Sequence, residues 1–214
     1  MRKYTCNENF FLSDTPESFY WAGFIAADGC LSLKRGKSKM LSIGLAEKDE
    51  NHINKFITSV GFTGKINHSV CREKFKVSSV KIYSSILFDS LGRFNLGTNK
   101  SLILSFPDKM INNKLINHFM RGYFDGDGSI SCGSDGQLKF GLRGTIDFLK
   151  TYNDILKQEC SLISVREPEQ YDSIGELQYH GNRIVPKIMD FLYHGSNNNT
   201  KLDRKYDEFI TNKR

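Results

Sequence analysis

The stretch WAGFIAADG, residues 21–29, has a second version in the chain, MRGYFDGDG at residues 120–128. When the two are aligned, Asp28 falls on Asp127, and each is followed by a glycine. Weaker matches continue downstream at almost the same offset, with 43–45 on 140–142 and 80–85 on 177–182. An offset that persists in this way is typical of an internal repeat, so two copies of one structural unit are predicted.

Each copy shows the same order of helical and strand patterns. In the first copy, Thr15 is expected to cap a helix with Pro16 in its first turn, and Gly29 to end it in a left-handed conformation. In the second copy, Asp135-Gly136 is a hairpin signal between two strands, and a later strand is expected near 164–167.

The predicted fold is therefore α+β, a pseudo-twofold pair of αββαββα units with antiparallel sheets. The halves are placed at residues 1–106 and 107–214, and a docked C-terminal helix is expected around KLDRKYDEFI.

Composition excludes several classes of protein. The chain has 214 residues, a formal net charge of +6 and no apolar run of membrane-spanning length, so a globular, intracellular protein that is not inserted in a membrane is expected. Five scattered cysteines without C-x-x-C spacing argue against a disulfide framework or a zinc site. A calcium-binding EF-hand loop starting at Asp125 is excluded, because the twelfth residue of such a loop would be Gly136 and not glutamate.

The repeated motif has a direct physical consequence. Gly23 and Ala27 are four residues apart on one helix, as are Gly122 and Gly126 on the other, and small residues at this spacing allow close helix packing. The carboxylates that follow would then lie side by side at two helix C-termini, where they repel each other. Divalent cations suit such a place, and two acids sharing metals can hydrolyse a phosphodiester.

The two motifs resemble those of the single-chain LAGLIDADG homing endonucleases. The resemblance implies a monomeric, Mg²⁺-dependent enzyme, with Mn²⁺ able to substitute, that makes a double-strand break at a long DNA site. The site could be nearly palindromic or asymmetric, and the different sequences of the two halves favour an asymmetric one. It implies Asp28 and Asp127 as catalytic metal ligands, with the backbone carbonyls of Ala27 and Gly126 beside them. At the sixth motif position, Ala26 replaces the aspartate that Asp125 keeps, and Asp125 is expected to act as a polar cap.

The resemblance also offers basic residues that could stabilise charge in the transition state. These are Lys48, Arg143, Lys100 and Lys201. Glu47 is a further candidate, as the holder of a metal-linked water, and His118 is expected only to pack or to meet solvent.

Strand alternation predicts one apolar and one polar, basic face for each sheet. In the first half, Leu31, Leu33, Leu41, Ile43 and Leu45 are expected to face the helices, and Phe75 and Val77 to oppose Lys74 and Lys76. The residues expected to bind nucleic acid are Ser32, Lys34, Arg35, Lys37, Lys39, Ser42, Lys74, Lys76, Gln137, Lys139, Arg143, Gln178 and His180.

Two other functions remain open at this point: an RNA-binding intron maturase, and a non-catalytic DNA-binding regulator on the same scaffold. Retention of both motif acids favours the nuclease.

Overall fold

The protein is represented by a computed structural model that describes residues 3–33, 38–71, 74–98, 103–163, 166–171 and 174–213. The element order of the first half recurs in the second, and a further helix follows at the C-terminus. The first half contains α1 (Pro16–Asp28), β1 (Gly29–Leu33), β2 (Lys39–Ala46), α2 (Glu50–Ser59), β3 (Asn67–Cys71), β4 (Phe75–Tyr83) and α3 (Ser85–Ser90). The second contains α4 (Ile116–Asp127), β5 (Gly128–Cys132), β6 (Leu138–Gly144), α5 (Ile146–Glu159), β7 (Glu169–Tyr171), β8 (Ile174–His180), α6 (Val185–Tyr193) and α7 (Asp203–Asn212).

Within these residues the strands form two four-stranded antiparallel sheets of the same topology. One has the order β1-β2-β4-β3 and the other β5-β6-β8-β7. The predicted α+β repeat is thus confirmed in element order and in strand pairing.

Helices α1 and α4 pack against each other through their glycines. A Cβ added at Gly23 would lie 1.9 Å from the carbonyl oxygen of Phe119, and one added at Gly122 would lie 1.9 Å from that of Tyr20. No side chain fits at either distance, so the two backbones are in direct contact. This contact confirms the predicted role of the small residues and fixes the ends of the two helices relative to each other.

The start of α1 follows from its sequence. The Thr15 hydroxyl accepts a hydrogen bond from the backbone N–H of Ser18, whose own hydroxyl accepts one from the N–H of Thr15, and Pro16 fills the first helical position. The helix is buried on nearly all sides, because α4 covers one face and aromatic rings from the first half, including Phe56 and Phe94, cover the others.

Three local expectations were wrong. Gly29 is extended (φ −80°, ψ 154°) and begins β1, so α1 ends without a left-handed residue. Leu33 is 59% exposed because it lies at the end of β1, beyond the helices. The strand expected at 164–167 is β7, at Glu169–Tyr171; Arg166 and Glu167 precede it without strand structure, and Ser164 and Val165 lie outside the described residues.

Candidate metal centre and nucleic-acid interface

The last residues of α1 and α4 are Asp28 and Asp127, both exposed to solvent. The two helix ends meet, because a Cβ placed on Gly126 would lie 2.3 Å from the Cβ of Ala27 and 3.5 Å from the Oδ2 of Asp28. The Asp28 carboxylate therefore lies beside the last turn of α4. Two carboxylates and two helix C-termini concentrate negative potential in one place, which a cation would relieve.

The donor set fits a hard divalent ion. Mg²⁺ is commonly held by one or two carboxylates, with waters and substrate phosphate oxygens completing six ligands. The centre offers two carboxylates and the nearby carbonyls of Ala27 and Gly126. Among the residues that the structure describes, no three His, Cys, Asp or Glu side chains form a cluster that would hold a metal by itself. An ion bound here would consequently need oxygen atoms from water or from a substrate.

Lys205 of α7 lies behind this centre, and sequence reasoning missed it. Its Nζ donates hydrogen bonds to the backbone carbonyls of Phe124 (2.8 Å), Asp125 (2.7 Å) and Gly126 (3.2 Å). Lys205 is only 5% exposed, and burial lowers its pKa to about 8. Asp125, Asp28 and Asp127 oppose that shift by Coulombic attraction, which places the ammonium within the field of both motif carboxylates.

The expectation that Asp125 is a polar cap was wrong. Its side chain is 1% exposed and accepts hydrogen bonds from the hydroxyls of Tyr20 (2.8 Å) and Tyr193 (2.5 Å) and from the backbone N–H of Leu202 (2.8 Å). Burial raises the pKa of this carboxyl, while Lys205 and the hydrogen bonds lower it. Asp125 thus joins α4 to α1, to α6 and to the C-terminal segment.

Arg121 is a second buried charge on α4, with no exposed surface. Its guanidinium donates hydrogen bonds to the carbonyls of Thr200 (2.6 Å) and Leu192 (2.8 Å), and it lies 2.7 Å from the Nδ1 of His118. Burial, followed by Arg121, lowers the pKa of His118 to about 3, so this ring is neutral. The prediction that His118 packs on its helix is confirmed. In the sequence, the sign of this hydrogen-bond network was the charged Arg121 within an otherwise mostly apolar helix.

The described basic candidates lie in different surroundings. Lys48 and Arg143 are exposed, and the Nε of Arg143 lies 3.3 Å from the Oε1 of Glu176. The Nζ of Lys201 lies 4.1 Å from the centre of the Tyr206 ring. Lys100 lies outside the described residues. Any part that these side chains take in chemistry therefore stays a prediction.

The face of each sheet that points away from α1 and α4 is called here the open face. In the first half, Leu41, Ile43, Val80 and Ile82 pack in the core, so register places Ser42, Ser79 and Lys81 on the open face. Lys81 is exposed there, although its position was not predicted. Ser32, two residues beyond Cys30, shares this face with Ser42, as predicted.

The predicted orientation of β4 was wrong. Strand β4 runs without a bulge, so Lys76 has the same parity as Val80 and Phe75 lies on the open face, where it is 58% exposed. The Nζ of Lys76 instead lies 3.3 Å from the Oε2 of Glu47, and Lys74 lies in the turn before the strand. Val77 likewise points to the open face. The prediction failed because the first residues of β4 extend beyond the core, where an apolar residue does not indicate burial.

Lys39 also departs from the prediction. It has the parity of Leu41, and its Nζ lies 2.5 Å from the Oδ1 of Asp89 on α3, so it lies at the edge of the helical side. Its interaction is intramolecular. The other basic residues expected to bind nucleic acid in this stretch, Lys34, Arg35 and Lys37, lie outside the described residues.

The second sheet follows the predicted orientation. Leu138, Phe140, Leu142, Leu177 and Tyr179 are buried. Register then places Lys139 opposite His180, the Gly141 backbone opposite Gln178, and Arg143 opposite Glu176, all on the open face. Gln137 precedes β6, and its Oε1 accepts a hydrogen bond from the N–H of Asn182.

No protein-family model matches the chain, and no curated protein matches its sequence. Solved structures match over almost the whole length. Meganuclease I-SmaMI bound to uncleavable DNA has a TM-score of 0.61 at 15% identity, covering 92% of this chain and 88% of that one. LAGLIDADG meganuclease I-CpaMI bound to uncleaved DNA has a TM-score of 0.60 at 14% identity, covering 93% and 90%.

The chain has the LAGLIDADG homing endonuclease fold. LAGLIDADG homing endonuclease I-GzeII, in complex with its DNA target, gives the same result, with a TM-score of 0.57 and 16% identity over 92% of this chain and 88% of that one. The resemblance drawn from the two motifs is thereby confirmed at the level of the fold. Among the described residues of this LAGLIDADG fold, no helix is long and apolar enough to cross a membrane.

Proposed function

We propose that this protein is a site-specific DNA endonuclease that makes a metal-dependent double-strand break and acts as a monomer. The observation that carries the proposal is the backbone contact between α1 and α4, which brings the ends of two helices, each carrying an exposed aspartate, to one centre. Similar solved structures are described as meganucleases or homing endonucleases bound to DNA, which supports duplex DNA as the partner.

Asp28 and Asp127 would hold the divalent ion, with the carbonyls of Ala27 and Gly126 available as further ligands. A bound Mg²⁺ or Mn²⁺ supplies an activated water and stabilises the leaving oxygen of the phosphodiester. The protein's own part would be to fix the two carboxylates through the packing of α1 on α4. Because each carboxylate belongs to one half, each would serve mainly one DNA strand.

The open faces would lie along the major groove. A strand of about eight residues spans ~26 Å, or about eight base pairs, so two halves would cover on the order of sixteen or more. Lys81 in the first half, and Lys139 and Arg143 in the second, would hold phosphates, while Ser42, Gln178 and His180 would meet base edges. The two open faces carry different side chains, so the site would be asymmetric.

The experiment is selection of cleaved duplexes from a randomised DNA library in Mg²⁺, followed by plasmid cleavage at the selected site. Cutting is expected with Mg²⁺ or Mn²⁺ and is expected to stop with a chelator. Ca²⁺ is expected to support binding with little cleavage, since its coordination geometry is looser. Cutting by chelator-treated protein at full rate would refute the two-carboxylate mechanism, and tighter binding to RNA than to duplex DNA would favour a maturase.

A further inference from the structure

The open face of the second sheet carries an ion pair at a position where the first sheet has small neutral residues. The two sheets can be compared from the glycine that follows each motif aspartate, because in both sheets this glycine pairs with the second strand. One residue further along that strand, the first half has Gly44 opposite Ser79, and the second half has Arg143 opposite Glu176. The two open faces therefore differ in charge at matched positions.

The carboxylate of Glu176 is held in place on this face. The Nε of Arg143 lies 3.3 Å from its Oε1, and the Glu176 side chain is 22% exposed, against 72% for Arg143. Among the described residues, no group donates a hydrogen bond to the other carboxylate oxygen, Oε2. An open cavity of about 110 Å³ borders the side chain, and its lining includes Gln178. One oxygen of a fixed carboxylate is thus available to a donor from outside the chain.

The fold gains little from this carboxylate. An ion pair between groups that solvent reaches contributes little to stability. Glu169 on β7 lies directly opposite Glu176, and like charges at opposed positions destabilise a sheet. The repulsion between the two glutamates offsets part of the attraction to Arg143. A role in binding therefore accounts for Glu176 better than a role in folding.

The chemistry of DNA restricts what this carboxylate can bind. An ionised carboxylate only accepts hydrogen bonds and repels phosphates, so its partner on DNA must be a donor on a base edge. In the major groove the donors are the N4 amino group of cytosine and the N6 amino group of adenine. Adenine presents its N7 acceptor beside that amino group, and two acceptors repel each other. Cytosine is therefore the base that fits a carboxylate.

We propose that Glu176 is a specificity-determining residue that accepts a hydrogen bond from the amino group of a cytosine in the part of the DNA site bound by the second half. Arg143 holds the carboxylate in position. This bond uses the Nε of Arg143, so its Nη groups can still hold a phosphate. Gly44 and Ser79 carry no charge with which to make the same choice in the first half, so the contact is one source of asymmetry. The inference rests on the proposed endonuclease function.

The first test selects bound duplexes from a randomised DNA library in Ca²⁺, so that the readout does not depend on cleavage. The wild-type protein is expected to require cytosine at one position. Glu176→Gln is expected to replace that preference by one for adenine, because an amide accepts from N6 and donates to N7. The control is Glu159→Gln, which removes an equal charge at the end of α5, on the core side of the sheet, and is expected to select the wild-type site.

The second test removes the amino group of the base instead of the carboxylate. At the selected position, cytosine is replaced by 2-pyrimidinone, which lacks the N4 amino group. The affinity of the wild-type protein is expected to fall about tenfold, within the range of one mismatched base pair. Glu176→Ala is expected to bind both duplexes equally well. The weaker base pairing of 2-pyrimidinone is common to both proteins and cancels in the comparison.

A wild-type site without a required cytosine, or a cytosine preference that Glu176→Gln leaves unchanged, would overturn the inference. So would an equal loss of affinity by the wild type and Glu176→Ala on the modified duplex, because Glu176 and Arg143 would then form a surface ion pair only. Failure of the proposed function looks different. If a duplex is selected but is not cut in Mg²⁺, the endonuclease proposal fails while the response of the cytosine preference to Glu176→Gln still decides the inference. Selection of no duplex at all would reject both.

Discussion

Helices α1 and α4 occupy matching places in the two halves but have different interiors. Where α1 has Ala22 and Ala26, α4 has Arg121 and Asp125, and all four residues are buried. At these two positions the first half buries methyl groups, whereas the second half buries two charges and pairs them with hydroxyls and backbone groups.

The segments after the two halves are held by different residues where the structure describes them. In the first, Leu104 and Phe106 are buried, while in the second Thr200 and Lys205 form buried hydrogen bonds to α4. Among the described residues, both motif helices have a glycine at the helix contact and an aspartate at the helix end. We expect the proposed function to depend on these two features.

The largest effect is expected from Asp125→Ala. The change leaves two tyrosine hydroxyls and the Leu202 N–H without their acceptor, and removes the buried carboxylate that attracts both Arg121 and Lys205. Breaking a buried charged network by removing one partner costs about 3–5 kcal/mol, to be measured by denaturant unfolding. A loss below about 1 kcal/mol would mean that the second half does not depend on this network.

Backbone contact at the helix pair is the feature that the halves have in common. Gly23→Ala and Gly122→Ala each place a methyl group against a carbonyl oxygen of the other helix, and each is expected to lower the free energy of unfolding by about 3 kcal/mol. The control is Gly92→Ala, because a Cβ there meets no atom within 4 Å. Unequal losses at Gly23 and Gly122 would show that the helix contact is less symmetric than the structure has it.

This common feature was also the part of the fold that the sequence could predict. Element order follows from the repeated helix and strand patterns, and the packing of α1 on α4, with Asp28 beside the end of α4, follows from the spacing of small residues along each helix. The contacts of Lys205 could not be predicted, because they depend on where the polar C-terminal segment folds back onto α4. The sequence around Lys205 carries no pattern that indicates this position. The orientation of Lys76 was predicted wrongly for a related reason. The first residues of β4 extend beyond the core, so the alternation of apolar and polar residues there does not show which face is buried.

A buried histidine on α2 gives the first half its own pH dependence. Burial, then Lys55, Lys205 and Arg204, lowers the pKa of His52 from 6.5 to about 3, so the folded ring stays neutral while the unfolded ring takes up a proton below pH 6.5. Folding stability should therefore fall as pH drops through this window, by at most about 1.4 kcal/mol per pH unit for this group. His52→Gln is expected to reduce the slope of unfolding free energy between pH 6 and 5 by up to that amount. An unchanged slope would mean that a group other than His52 takes up the proton on unfolding.

The smallest effects concern the open faces. Lys81→Ala and Lys139→Ala are each expected to weaken DNA binding and to reduce the slope of log affinity against log salt by about 0.9, the value for one phosphate contact. Lys76→Ala, on the opposite face of β4, is the matched control and is expected to leave the slope unchanged. A slope change at Lys76 and none at Lys81 would reverse the orientation of β4 described here.

The most direct test of the central claim is strand-resolved cleavage by Asp28→Asn and Asp127→Asn at the selected site, with binding measured by gel shift on the same proteins. Each variant is expected to abolish or strongly slow double-strand cleavage while binding is kept or tightened, because each change removes a negative charge facing DNA. Normal cutting of both strands by either variant would contradict the account.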